Sequence, residues 1–142
     1  MPSQDLTQPE GVPLYRSDIV VKWGDMDALA HVNNAQYFRY FEHVRLAWYH
    51  ENGFGVLGGT NDGFVIVNNY AEYHKAVTWP ATVTVRMAGH SPGRSSFMST
   101  YTLCVGDELY TSAYSKVVWI DTATNSSIAL PQSVRELLTQ TP

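Results

Sequence analysis

Between Trp23 and Tyr37 the chain reads Trp-Gly-Asp-Met-Asp-Ala-Leu-Ala-His-Val-Asn-Asn-Ala-Gln-Tyr, the densest concentration of polar chemistry in the sequence. Two carboxylates (Asp25 and Asp27), His31 and two amides (Asn33 and Asn34) fall within ten residues. A carboxylate can take a proton from water as a general base, or attack an electrophilic carbon itself. A helix beginning just after them adds free N–H donors and the positive end of its dipole, which suit an oxyanion forming on a carbonyl. The same residue types also build turns and caps. Asp25 and Asp27 suit a turn, and Asn33 or Asn34 suits a helix N-cap. The two uses are not exclusive.

Other groupings carry less. Gly89-His90-Ser91-Pro92-Gly93 satisfies the G-x-S-x-G pattern of serine hydrolases. That motif needs a strand running into a helix, whereas here it joins two predicted strands. Pro92 also removes the N–H that would follow the nucleophile, so the segment reads as a hairpin turn. Cys104 is the only cysteine and sits among Tyr101, Leu103 and Val105, where a small apolar core residue is expected. His43, His50, His74 and His90 give no zinc-ligand spacing with a third partner, and no metal is expected. Asp25-Met26-Asp27 opens like a calcium loop, but Leu29 stands where the next oxygen ligand belongs.

The elements that must position these groups follow from periodicity. Tyr15 to Trp23 is rich in β-branched and aromatic residues and predicts a strand, broken by Gly24. From about Asn34 to His50 the spacing of Tyr37, Phe38, Phe41, Val44 and Trp48 predicts one long helix with a broad apolar face. Arg39, Glu42 and Arg45 are expected to pair elsewhere on its surface, and Asn52-Gly53 is its stop signal. Gly53 to Gly63 is a glycine-rich loop. Strands are then predicted over Phe64–Tyr73, Thr82–Met87, Ser96–Val105 and Leu109–Ile120, the last two as a hairpin about Gly106-Asp107. Pro131 to Leu138 predicts a short terminal helix. One apolar helix among so many strands must be covered by their sheet. The expected class is therefore α+β, a curled antiparallel sheet around one long central helix. Its open edges invite self-association.

Composition bounds the function. The 142 residues carry nine Lys or Arg against thirteen Asp or Glu, a formal net charge of −4, without any basic run. Nucleic acid is not an expected partner. One cysteine makes no intrachain disulfide. No stretch approaches the roughly 18 apolar residues of a membrane span, and residues 1–7 lack the pattern of a secretory signal. No membrane partner is expected, and the expected location is cytoplasmic.

The segment from Trp23 to Tyr37 resembles the signature of hot-dog fold acyl-CoA thioesterases of the 4-hydroxybenzoyl-CoA thioesterase type. There an Asp is followed after three residues by His-Val-Asn-Asn and a Tyr on the helix. The likeness runs from about Tyr15 to Ile120, with softer support at Gly93-Arg94-Ser95-Ser96-Phe97. It implies a hot-dog domain over 15–142 preceded by a loose arm, 1–14. It implies hydrolysis of an acyl-CoA thioester to a carboxylic acid and free CoA, CoA being part of the substrate and no cofactor needed. Carried over by position, Asp27 is the catalytic carboxylate, as base or nucleophile, and the backbone N–H of Asn34 polarises the carbonyl. His31 joins them in the catalytic set. Asn33 and Tyr37 line or brace the pocket, Asp25 supports, and Arg94 is the expected contact for a CoA phosphate. Sites of relatives lie at a dimer interface, which implies a homodimer, or a dimer of dimers forming a homotetramer. The family usually has Gly where this chain has Ala30, and a positive φ there would cost alanine energy. Two alternatives stay open: a hot-dog enoyl-thioester hydratase or dehydratase, and a non-catalytic acyl-CoA binding module.

Overall fold

A computed structural model describes residues 5–54 and 61–140. The first four residues of the expected arm, and residues 55–60 of the expected glycine-rich loop, lie outside the described residues. Among the described residues there are five strands: β1 (Val12–Val20), β2 (Asp62–Tyr73), β3 (Thr82–His90), β4 (Ser96–Val105) and β5 (Glu108–Asp121). Two α-helices accompany them, α1 (Asn34–Glu51) and α2 (Gln132–Leu138). All strand pairings are antiparallel, in the order β1-β3-β4-β5-β2. The expected α+β class, a curled antiparallel sheet around a central helix, is what the chain adopts.

Local chemistry sets the ends of α1. The Asn33 side chain accepts from the Ala35 N–H at 3.0 Å and caps the first turn. At the far end Asn52 follows the last turn and Gly53 takes φ +72°, a conformation natural to glycine. Between them, Phe41, Val44 and Trp48 are at most 2% exposed. They meet the inward residues of the sheet, Phe41 against Tyr101 with ring centroids 5.1 Å apart and Trp48 against Phe97 at 5.9 Å. Each such side chain stabilises the fold by roughly 1.5–3 kcal/mol on burial.

The buried arc of α1 is wider than the predicted stripe, because the sheet curls around the helix. Tyr40, Arg45 and Tyr49 are buried as well. Arg45 is not the expected surface partner of Glu42. It is 7% exposed, donates to the Tyr101 hydroxyl at 3.0 Å, and lies 5.9 Å from that ring's centroid. Its Nε has no acceptor.

β1 begins at Val12 rather than Tyr15 and ends at Val20, while Trp23 belongs to a short 3-10 turn, Trp23–Asp25. The segment before β1 also has a seat. The Thr100 and Thr102 hydroxyls of β4 donate to the carbonyls of Glu10 and Thr7. Side-chain bonds across some 90 residues of sequence leave no periodic trace by which the arm could be read. Cys104 is fully buried beside Arg86, as its neighbours suggested, and burial raises its thiol pKa.

The G-x-S-x-G segment closes the β3 strand and turns toward β4, with no helix following it. Its first glycine has a packing explanation. A Cβ on Gly89 would stand 2.6 Å from a Leu138 methyl, so the bare position lets the α2 leucine pack directly on β3, and a side chain there would push that methyl aside. Arg135 of α2 donates to the carbonyls of Gly93 and Arg94 and ties the turn down.

Candidate active site

The chain leaves β1 and is fastened at Val21, whose N–H donates to Ala81 O at 2.9 Å. The 3-10 turn then brings Asp25 under α1. Its carboxylate accepts from the Lys22 N–H at 3.0 Å and from the Tyr40 hydroxyl at 2.7 Å. Burial first, and that hydrogen bond next, raise the Tyr40 pKa. Asp25 is thus occupied in bracing the helix, on the side of α1 lined by Arg39 and His43.

Asp27 sits differently. The loop after it folds back on itself through a bridge between Met26 and Val32, with the Asp27 N–H donating to His31 O at 2.8 Å. One carboxylate oxygen, Oδ1, accepts from the Leu29 N–H at 2.8 Å, an Asx turn. Oδ2 accepts no hydrogen bond among the described residues. The loop closes with Ala30 at φ +62°, the left-handed region. A Cβ there costs roughly 1–2 kcal/mol. Ala30→Gly should therefore raise stability by about 1 kcal/mol, the larger unfolded-state entropy of glycine offsetting part of the relief. Urea denaturation at constant m-value measures it.

Val32 N–H then donates to Val77 O at 2.9 Å, and α1 begins. Its cap uses the Asn33 side chain on Ala35, while the Gln36 N–H donates to Asn33 O at 2.8 Å. The Asn34 N–H is left without a partner among the described residues. Tyr37, one turn further along, is 3% exposed and its hydroxyl accepts from the Val77 N–H at 3.2 Å. Burial raises its pKa, the Val77 bond opposes this, and the Asp27 charge adds to the rise.

Asp27, His31, Asn34 and Tyr37 line one cavity of about 350 Å³. Its opposite wall is Tyr73, His74 and Lys75, at and just beyond the end of β2. Tyr73 lies 4.9 Å from the Tyr37 ring and donates to Asn34 O at 3.1 Å. His74 contacts the Ser112 hydroxyl at 2.9 Å, and Lys75 pairs with Glu108 at 3.1 Å. Nothing in the spacing of residues 73–75 announces them as neighbours of Asp27. The register of β2 on β5 puts them there.

Of the residues the sequence singled out, Asp27, His31, Asn34 and Tyr37 come together. Asn33 is spent on the helix cap, and Asp25 faces the other side of α1. Arg94 is not brought to them within the chain. It lies in the turn that follows β3, whereas the loop carrying Asp27 packs near residues 77–81, before β3 begins. Chemically, the cavity is lined by a carboxylate with one oxygen unbonded among the described residues and by the first residue of a helix, whose N–H is likewise unbonded. Among the described residues, no cluster of three His, Cys, Asp or Glu could hold a metal, and no helix is long and apolar enough to cross a membrane.

The family model described as the thioesterase-like superfamily matches residues 21–138. Among solved structures, the PA2801 protein of Pseudomonas aeruginosa, a candidate thioesterase, is 36% identical with a TM-score of 0.81. The match covers 87% of this chain and 97% of that one. A DHNA-CoA thioesterase from Staphylococcus aureus shares the fold at 19% identity and TM-score 0.76, over 86% of each chain. Slr0204, a 1,4-dihydroxy-2-naphthoyl-CoA thioesterase from Synechocystis, does so at 13% identity and TM-score 0.77, over 87% of this chain and 94% of that one. No curated protein matches the chain.

Proposed function

The chain belongs to the thioesterase-like superfamily, and from that premise we propose that it hydrolyses acyl-CoA thioesters at Asp27. The observation that carries this reading is the pairing of a free carboxylate oxygen with an unpartnered helix-start N–H on one cavity wall. The thioester carbonyl oxygen lies on the Asn34 N–H, which stabilises the oxyanion of the tetrahedral intermediate. Asp27 takes a proton from the attacking water, or attacks the carbonyl carbon itself to give an anhydride that water then opens. Either way the C–S bond breaks, the thiolate of CoA leaves and is protonated, and a carboxylic acid remains. Single-turnover hydrolysis in ¹⁸O water reveals direct attack when water opens the anhydride at the Asp27 carboxyl carbon, since the general-base route never puts solvent oxygen into Asp27.

His31 serves this site in two ways. Its backbone carbonyl holds the Asp27 N–H, and its exposed ring, without a partner among the described residues, stands on the cavity wall. Tyr37 braces the floor. Lys75, which also pairs with Glu108, rather than Arg94, is the basic side chain this chain presents beside Asp27. CoA enters as part of the substrate, and the chain's own residues serve every step above.

The edge strand β2 supports a homodimer. Among the described residues it pairs only with β5, runs for twelve residues, and exposes Val65, Val67, Tyr70 and Tyr73. A long apolar edge of this kind is a template for pairing with another strand. The test of function is thiol release from a panel of short, long and aromatic acyl-CoAs. Release of free CoA supports hydrolysis. Hydration of an enoyl-CoA with its thioester intact, or binding without turnover, would overturn it.

A further inference from the structure

Asp27 lines a second cavity as well, of about 480 Å³, whose character is opposite to the first. Its other walls include Trp23, Trp79, Met26, Ala28 and Ala30, so Asp27 is its only charged group. Trp23 is 73% exposed and Trp79 is 48% exposed. Large apolar rings left in water beside a concave surface mark a binding site. The remaining two tryptophans, Trp48 and Trp119, are 1% and 0% exposed and belong to the core. The first cavity, which Asp27 also lines, presents His31, His74 and Lys75.

We propose that the cavity between Trp23 and Trp79 takes the acyl group of the thioester, and that these two side chains select an uncharged, apolar acyl group. The inference rests on Asp27 being the catalytic carboxylate. A carbonyl carbon at that carboxylate has one substituent on each side. The phosphate-bearing CoA arm belongs with Lys75 and the polar side chains of the first cavity, and the acyl group belongs with the two indoles. Asp27 itself, the sole charge on that side, repels an acyl group that ends in a second carboxylate. Octanoyl-CoA is therefore a good substrate and succinyl-CoA a poor one.

The two exposed indoles supply a readout independent of turnover, because acrylamide quenches them and spares the buried pair. With Asp27→Asn protein, octanoyl-CoA should shield the quenchable fluorescence and free CoA should not. Trp23→Phe and Trp79→Phe should each remove part of that quenchable signal. In the active enzyme, Trp79→Ala should lower kcat/KM for octanoyl-CoA roughly tenfold more than for acetyl-CoA. Shielding by free CoA as strong as that by octanoyl-CoA would overturn the proposal by placing the CoA arm between the rings. Indoles already shielded without ligand, increasingly so with protein concentration, would overturn it in favour of a second copy of the chain. Wild-type thiol release with unshielded indoles sinks this inference and leaves the thioesterase standing. Absence of thiol release from every acyl-CoA sinks the thioesterase reading itself.

Discussion

Asp27→Asn should cut thiol release from acyl-CoA by two to four powers of ten while the protein stays folded and still binds its ligand. The substitution is chosen for what it keeps. The Asx turn needs only an oxygen at Oδ1 to accept from the Leu29 N–H, and asparagine supplies one. The loop, its bridge between Met26 and Val32 and the cap of α1 should all persist. What disappears is the charge and basicity of the other oxygen, the one left free toward the cavity. Asp25 offers no substitute two residues away, since its carboxylate is bonded to Lys22 and Tyr40 on the opposite side of the helix. Thiol release with circular dichroism and ligand binding on the same preparation checks the expectation. Turnover surviving in the variant would take the chemistry away from Asp27.

The second large effect concerns a backbone atom. Asn34→Pro should lower kcat by about 10²–10³-fold, the cost of one oxyanion donor, with little loss of stability. Asn34 is the first residue of α1, a position where proline is favoured because its fixed φ suits the helix and its missing N–H was unpaired anyway. The preceding residue must then be extended, and Asn33 already is, at φ −57° and ψ 133°. The Tyr73 hydroxyl bonds the carbonyl of Asn34, which proline retains. The variant thus deletes one N–H and its side-chain amide. Asn34→Ala, which keeps the N–H, separates the two, and it should retain most of the activity that Asn34→Pro loses. A comparable loss in both variants would assign the effect to the side chain and refute the oxyanion role.

The two variants divide a single cavity between a side chain and the main chain, and the sequence treats these unequally. The side-chain half is visible in residue types, since a carboxylate, histidine and paired amides before an apolar helix are unusual in any order. The main-chain half follows from knowing where the helix starts. That too was legible, because a cap is decided by partners one to four residues away. Asn33 before the periodic run, and Asn52-Gly53 after it, bound α1 as the periodicity predicted. The strands were legible for the same reason, as the alternation of Thr82 to Met87 and the turn at Gly106-Asp107 require no distant neighbour.

By itself, then, the sequence determined the class of fold, the order of its elements, the loop carrying Asp27 and the helix start beside it. All of these depend on interactions within about a turn or a hairpin. The resemblance already chose Asp27 over Asp25, and the tertiary structure added what occupies Asp25, the Tyr40 hydroxyl reaching back to it. Only the tertiary structure decided that Arg45 is buried against Tyr101 across 56 residues of sequence, and that the arm lies on Thr100 and Thr102. The register of β2 on β5 set Tyr73, His74 and Lys75 opposite Asp27, and the folding of the chain set Trp79 beside Trp23. Such pairings are fixed when a curved sheet closes around a helix, and spacing along the chain carries no record of them.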